Sequence, residues 1–144
     1  MARVLLIDDE LNWRRQMRKI IEKMGHEVLE VGTEKQAQAI LESEKAEARA
    51  FALIILDLRL EPWTEGFQGM NLLDLTDRRV QEDHSKVIIV SAYATISQFR
   101  EAYGKHKVDD FIPKLAPGKE FYDEFQRAVR AAILKYDKEV HYGS

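Results

Sequence analysis

Phe51-Ala52-Leu53-Ile54-Ile55-Leu56-Asp57 is the stretch that decides how this chain folds. Six apolar residues run without a polar break and then deliver a single carboxylate. A run of this length, rich in branched side chains, suits a strand buried on both faces, as in a parallel sheet. Asp57 then stands at the rim of that sheet, half desolvated and fixed in direction.

The flanking sequence repeats the theme. Upstream, residues 3–7 predict a short buried strand that ends in Asp8-Asp9-Glu10. Leu11, Met17, Ile20, Ile21 and Met24 follow at helical spacing, and Gly25 closes that helix. Residues 26–31 alternate as a second strand. Thr33 caps a helix with Gln36 in capping-box position, and that helix carries Ala37, Ile40 and Leu41 inward and ends near Ala46. Downstream of Asp57, Leu58 to Gly69 reads as irregular, and a helix runs from about Met70 to Glu82. Residues 86–90 form a fourth strand leading into Ser91-Ala92. Thr95 caps a helix bearing Ile96, Phe99, Ala102 and Tyr103, and Asp109 to Ile112 make a short fifth strand before Pro113-Lys114. The last helix starts after Pro117-Gly118, with Phe121, Phe125, Val129, Ala132, Ile133 and Tyr136 on one face.

Five β-α units in strict alternation imply an α/β protein: a parallel sheet between two helical layers, joined by right-handed crossovers. Length and unit count point to a flavodoxin-like (βα)5 three-layer sandwich whose five-stranded sheet has the order 2-1-3-4-5. The 144 residues fit one domain with a real core. Net charge is only −3 and no basic block stands out, which argues against direct nucleic-acid binding and against an anionic membrane surface. Cysteine is absent, so disulfides and thiolate chemistry are excluded, in keeping with a cytoplasmic location. The apolar run at the N-terminus is too short for a signal peptide or a spanning helix.

In a parallel sheet all strand C-termini share one edge. Asp8 and Asp9, Asp57, Ser91 and Lys114 therefore converge on the same rim, and strands one and three meet there at the switch point where such folds bind ligands. Three carboxylates in one place repel, and one of them tends to keep a proton. A divalent cation removes the conflict, and oxygen-only ligands on a partly open rim suit Mg²⁺. Phosphoryl chemistry follows from that set. A carboxylate nucleophile accepts the group as an acyl phosphate, while the metal and Lys114 neutralise its oxygens and Ser91 supplies a hydrogen bond.

These residues carry a family resemblance. Val4-Leu5-Leu6-Ile7-Asp8-Asp9-Glu10, Leu53-Ile54-Ile55-Leu56-Asp57, Ile88-Ile89-Val90-Ser91-Ala92 and Asp110-Phe111-Ile112-Pro113-Lys114, in this order and spacing, resemble the receiver domain of response regulators in bacterial two-component systems. The resemblance covers residues 1–137 as a receiver domain and leaves 138–144 as a short tail. It implies that Asp57 is the phosphoacceptor, loaded by a sensor histidine kinase or phosphotransfer protein. It further implies that Mg²⁺ is held by Asp8, Asp9, Asp57 and the backbone carbonyl of Arg59. Ser91 would be the hydroxyl switch, Phe111 the aromatic switch and Lys114 the phosphate-sensing lysine. The implied partners are a downstream target protein or output domain, and a second copy bound through the face made by the helix after Thr95, the fifth strand and the last helix.

The pattern is departed from in places. Leu115 follows the lysine where the family usually has proline, and the connection from Asp57 to Gly69 is longer than usual. Arg59 and Tyr93 are bulky at positions that tune phosphoryl lifetime, and Trp63 and Phe67 form either the loop's own base or a partial lid. Taken singly, every site residue has an ordinary reading: Asp8-Asp9 as a helix cap, Asp57 as a turn residue, Ser91 as a helix start, Lys114 as solvated surface, Phe111 as core. The four histidines show no ligand spacing and read as surface or loop residues. Two other functions stay open: a Mg²⁺-dependent phosphatase with an aspartyl-phosphate intermediate, and a receiver that binds partners without phosphorylation. Against the first stands Arg59, where such enzymes want a second aspartate. A flavodoxin would need a Ser, Thr and Gly-rich loop in place of Asp8-Asp9-Glu10.

Overall fold

The computed structural model describes residues 1–48, 50–57, 69–91, 104, 106–114 and 118–141. Its strands are β1 (Arg3–Ile7), β2 (Glu27–Val31), β3 (Leu53–Asp57), β4 (Lys86–Ser91) and β5 (Asp110–Pro113). They form one sheet in the order β2-β1-β3-β4-β5, and every pairing is parallel. The flavodoxin-like winding expected from the alternation is the one observed. The described helices are α1 (Leu11–Lys23), α2 (Glu34–Glu42), α3 (Gly69–Asp83) and α4 (Lys119–His141). The helix expected after Thr95, the connection 58–68 with Arg59, Trp63 and Phe67, and Tyr93 and Leu115 lie outside the described residues.

Strand periodicity divides the core in two. Val4, Leu6, Leu53, Ile55, Ile88, Val90 and Ile112 point to one face, where Met17, Ile20 and Ile21 of α1 and Phe121, Phe125 and Val129 of α4 cover them. Leu5, Ile7, Ile54, Leu56, Val87, Ile89 and Phe111 point to the other, under Ala37 and Leu41 of α2 and Leu72 and Leu73 of α3. Successive residues of a strand face opposite sides, so β1, β3 and β4 must be apolar throughout, which is why they read as unbroken runs. β2, at the edge, alternates instead and leaves Leu29 41% exposed.

Local signals hold where they rest on backbone chemistry. The Thr33 hydroxyl accepts the Gln36 N–H at 3.2 Å, and Gly25 ends the α1 turn at φ 90°, a conformation that costs glycine little. Two expectations shift. α2 stops at Glu42 rather than near Ala46, because Ser43 turns extended and its hydroxyl accepts the Lys45 N–H. Leu11 is 44% exposed; it lies about 120° round the helix from Met17 and so misses the core stripe. One histidine is a loop residue, as expected, but not a surface one. His106 is buried, in the turn before β5, with Nδ1 2.5 Å from Asp77 Oδ2 on α3. Its partner is far along the chain, which spacing between histidines could not reveal.

Phe125 is fully buried beneath the sheet, whereas Leu134 on the same helix is 54% exposed. Phe125→Ala should cost about 3–5 kcal/mol, and Leu134→Ala should stay within about 0.5 kcal/mol. Urea unfolding of the two variants checks the assignment of the α4 faces.

Candidate functional site

Each residue singled out on the rim is delivered by a strand end. Asp8 follows β1, with its N–H donating to the Val31 carbonyl at 3.2 Å. Asp57 is the last residue of β3, Ser91 the last of β4, and Lys114 follows β5 with its N–H on the Ser91 carbonyl at 2.8 Å. Parity then sorts them. Asp8 continues the Val4-Leu6 set, Asp57 the Leu53-Ile55 set and Lys114 follows Ile112, so all three belong to the face covered by α1 and α4. Ser91 continues the Val87-Ile89 set, on the face that holds Phe111.

The three that share a face meet. Lys114 Nζ lies 2.8 Å from Asp8 Oδ2, 3.1 Å from Asp57 Oδ2 and 3.3 Å from Glu10 Oε1. The Lys114 side chain has no solvent exposure and that of Asp57 only 3%. Asp8 is locked on both oxygens, since Oδ1 accepts the Glu10 N–H at 2.8 Å. Asp9 is exposed beside them. Burial pulls the Lys114 ammonium down, but Asp57 and Asp8 outweigh it and hold its pKa above the usual value. Asp57 goes the other way: burial, then the negative charge of Asp8, push its carboxyl up to about 7 in spite of Lys114. One lysine does not neutralise this rim.

Two contributors carry no sequence signal of their own. Trp13 of α1 puts its ring centroid 5.3 Å from Lys114 Nζ and packs edge-on against Phe121 at 4.8 Å. Arg14 donates from Nη1 to the backbone carbonyl of Asp8 at 2.8 Å and from Nε to Glu30 at 3.2 Å. Glu30 also takes Arg18 at 2.9 Å. A Cβ on Gly32 would stand 2.5 Å from Arg14 Nη1, so this glycine keeps open the slot in which the guanidinium lies. These contacts join α1 to β2 across the chain, and only the fold brings them together.

The rim also has the donors of a cation site. Asp8, Asp9, Glu10 and Asp57 each bring an oxygen within 4.8 Å of the others. An all-oxygen set that is partly open, with one carboxyl driven toward protonation for want of positive charge, fits a hard divalent ion such as Mg²⁺.

A family model of the response regulator receiver domain matches residues 4–126. The chain belongs to that family. Receiver domains are phosphoacceptor signalling domains that generally bind Mg²⁺. Among curated relatives, the alginate biosynthesis transcriptional regulatory protein AlgB of Pseudomonas aeruginosa is 30% identical over 116 residues, which are 81% of this chain and 23% of AlgB. AlgB of Pseudomonas putida is 29% identical over the same length and the same shares. The chain thus spans under a quarter of the length of these relatives. Among solved structures, a CheY-like receiver domain protein of Methanospirillum hungatei JF-1 superposes with a TM-score of 0.71 at 22% identity, covering 96% of this chain and 98% of that one. NtrX of Brucella abortus reaches 0.71 at 25% identity, covering 96% and 28%. Among the described residues, no helix of this receiver is long and apolar enough to cross a membrane.

The raised Asp57 pKa has a sign that stability reports. Without divalent ions the folded receiver keeps the Asp57 proton up to about pH 7, while the unfolded chain releases it near 3.8. Between those values the folded state binds more protons, so stability falls as pH rises, and the deficit is complete above about 7. Asp57→Asn should therefore stabilise the metal-free protein by on the order of 4 kcal/mol at alkaline pH, with the gain fading as pH approaches 4. Denaturant melts across pH measure it, and a gain that does not vary with pH contradicts the assignment.

Gly32→Ala should evict the Arg14 guanidinium and cost about 1–2 kcal/mol. Arg14→Met in the Gly32→Ala background should then add little, because the two changes break the same contact. Additive losses in that double-mutant comparison would show that the slot and the guanidinium act separately.

Proposed function

We propose that this receiver is a phosphorylation-dependent switch in which Asp57 takes a phosphoryl group from the phosphohistidine of a sensor kinase or phosphotransfer protein. The observation that carries this reading is the buried contact of Lys114 with both Asp8 and Asp57 at the C-terminal edge of β1 and β3. A carboxylate of Asp57 attacks phosphorus, the P–N bond to the imidazole breaks, and the departing histidine takes up a proton. Asp57 is held in place by the end of β3 and by Lys114, so little reorganisation is needed for in-line attack. Lys114 leaves part of its pairing with Asp57 and follows the negative charge onto the transferred oxygens. Asp8, Asp9, Asp57 and the Arg59 carbonyl would hold Mg²⁺, which supplies the remaining positive charge for the phosphoryl oxygens.

The signal then leaves by the other face. Ser91 and Phe111 share a face of the sheet, and the β4–β5 register sets Ile89 beside Phe111 and Ser91 beside Pro113. A hydroxyl drawn toward the new phosphoryl group changes the space above Phe111, one strand away, and a local charge event biases the packing of a surface. The surface that the resemblance implies, made by the helix after Thr95, β5 and α4, would receive the target protein, output domain or second copy. AlgB is a transcriptional regulator by its name; an output of that kind is one such target.

Acetyl phosphate with Mg²⁺ should add one phosphoryl group to the intact mass of the chain, and Asp57→Asn or excess EDTA should abolish it. An adduct that survives in Asp57→Asn places the acceptor elsewhere; one that survives EDTA removes the metal from the reading. Ser91→Ala should still accept phosphate while losing most of the NMR shift change at Phe111. Equal shifts in both proteins refute the coupling.

A further inference from the structure

Trp13 opens the apolar stripe of α1. Met17, Ile20 and Ile21 follow it at i+4, i+7 and i+8, and all three are buried against the sheet. The indole itself is half-buried and packs on the same core. It meets Phe121, in the first turn of α4, at 4.8 Å with 74° between the ring planes. Phe121 in turn stacks on Phe125 at 5.4 Å. Two core rings of α4 therefore brace the indole, and its orientation is set by the core rather than by the rim.

Lys114 meets this braced ring. Its Nζ lies over the indole, 5.3 Å from the centroid, inside the range of about 6 Å where an aromatic face attracts a cation. The Lys114 side chain has no solvent exposure, so water does not compete with that attraction. Asp8, Asp57 and Glu10 also attract the ammonium, from 2.8, 3.1 and 3.3 Å. A lysine stem is flexible and its ammonium is a point charge, so carboxylates draw it in without defining where it stands. A rigid ring face does define it. The ring also adds no further acceptor or negative charge to a rim already crowded with carboxylates.

We propose that Trp13 is a positioning residue for phosphoryl transfer, its indole face holding the Lys114 ammonium at the junction of Asp8 and Asp57. This inference rests on the reading of Asp57 as the acceptor. A cation held where the transferred oxygens arrive needs little reorganisation, and small misplacements of such a group are costly in rate. Leucine at position 13 would still fill the apolar stripe but has no π face, whereas phenylalanine keeps one.

The test follows phosphorylation of the full chain by acetyl phosphate in saturating Mg²⁺, read as intact mass, alongside thermal melts. Trp13→Leu should slow the reaction about fivefold or more, and Trp13→Phe should recover most of that loss, at similar melting temperatures. A second arm needs neither metal nor phosphate. The chain has two tryptophans, so in a Trp63→Phe background the emission reports Trp13 alone. An ammonium over an excited indole quenches it, and Lys114→Met should brighten that emission in EDTA. A wild-type rate in Trp13→Leu overturns the proposal. So does an equal loss in Trp13→Leu and Trp13→Phe, which leaves only packing, or unchanged emission in Lys114→Met. Absence of any adduct on the unaltered chain strikes the acceptor reading instead, and the emission then still decides whether Trp13 holds Lys114.

Discussion

A buried ammonium surrounded by too many carboxylates is the constraint on which this receiver depends. Lys114 stands 106 residues from Asp8 in sequence, yet their side chains meet at 2.8 Å. β1 and β5 are not neighbours in the sheet, being separated by β3 and β4. At the usual spacing that is about 14 Å between strand axes. Only a long side chain leaning back over the sheet edge can close it, and Asp57, at the end of the intervening β3, is the natural second partner. An uncompensated buried charge is expensive, so each member of this group fixes the others. Moving any of the three strand ends would strand a charge, and the winding and the site are therefore one requirement.

Much of this was legible in the amino-acid order. Residues 51–56 and 86–90 read as buried strands because both faces of a central parallel strand are covered, and the strict alternation with amphipathic segments left few windings to consider. The rim residues followed, since a parallel sheet gathers every strand C-terminus on one edge. What the sequence withheld depends on side chains crossing between elements. Arg14 on the Asp8 carbonyl, the slot kept by Gly32, and Trp13 beside Lys114 all join elements whose relative placement exists only after folding. The burial of His106 in its turn was hidden for the same reason, because the carboxylate it meets, Asp77, lies on α3. Leu11 was placed on a stripe that it misses by a third of a turn, a difference that a list of apolar positions blurs and an angle settles.

The contacts around Arg14 suggest why the first β-α turn needs no large loop to be rigid. The Asp8 carboxylate takes the Glu10 N–H on one oxygen and Lys114 on the other, while its backbone carbonyl takes Arg14. Every acceptor of Asp8 is thus engaged from a different direction: its own turn, the far end of the sheet, and α1. Arg14 is in turn held by Glu30, which lies on β2 and shares its second oxygen with Arg18. The edge strand, poor in core contacts, thereby gains a polar tie to the site.

The imbalance of the rim is also what suits it to switching. A fully neutralised cluster would be stable and indifferent to further charge. Here burial and Asp8 keep Asp57 at about 7 even with Lys114 in contact, so the carboxylate is close to its transition at neutral pH and any added cation shifts it strongly toward the charged form. A phosphoryl group on Asp57, as proposed, would add negative charge to the same place and give Lys114 a reason to follow it. The backbone N–H of Lys114 bonds the Ser91 carbonyl at the end of β4, and Ser91 shares a sheet face with Phe111. One backbone contact and one strand thus form the link from the face under α1 and α4 to the opposite face. A site at electrostatic rest would have no force to send along it.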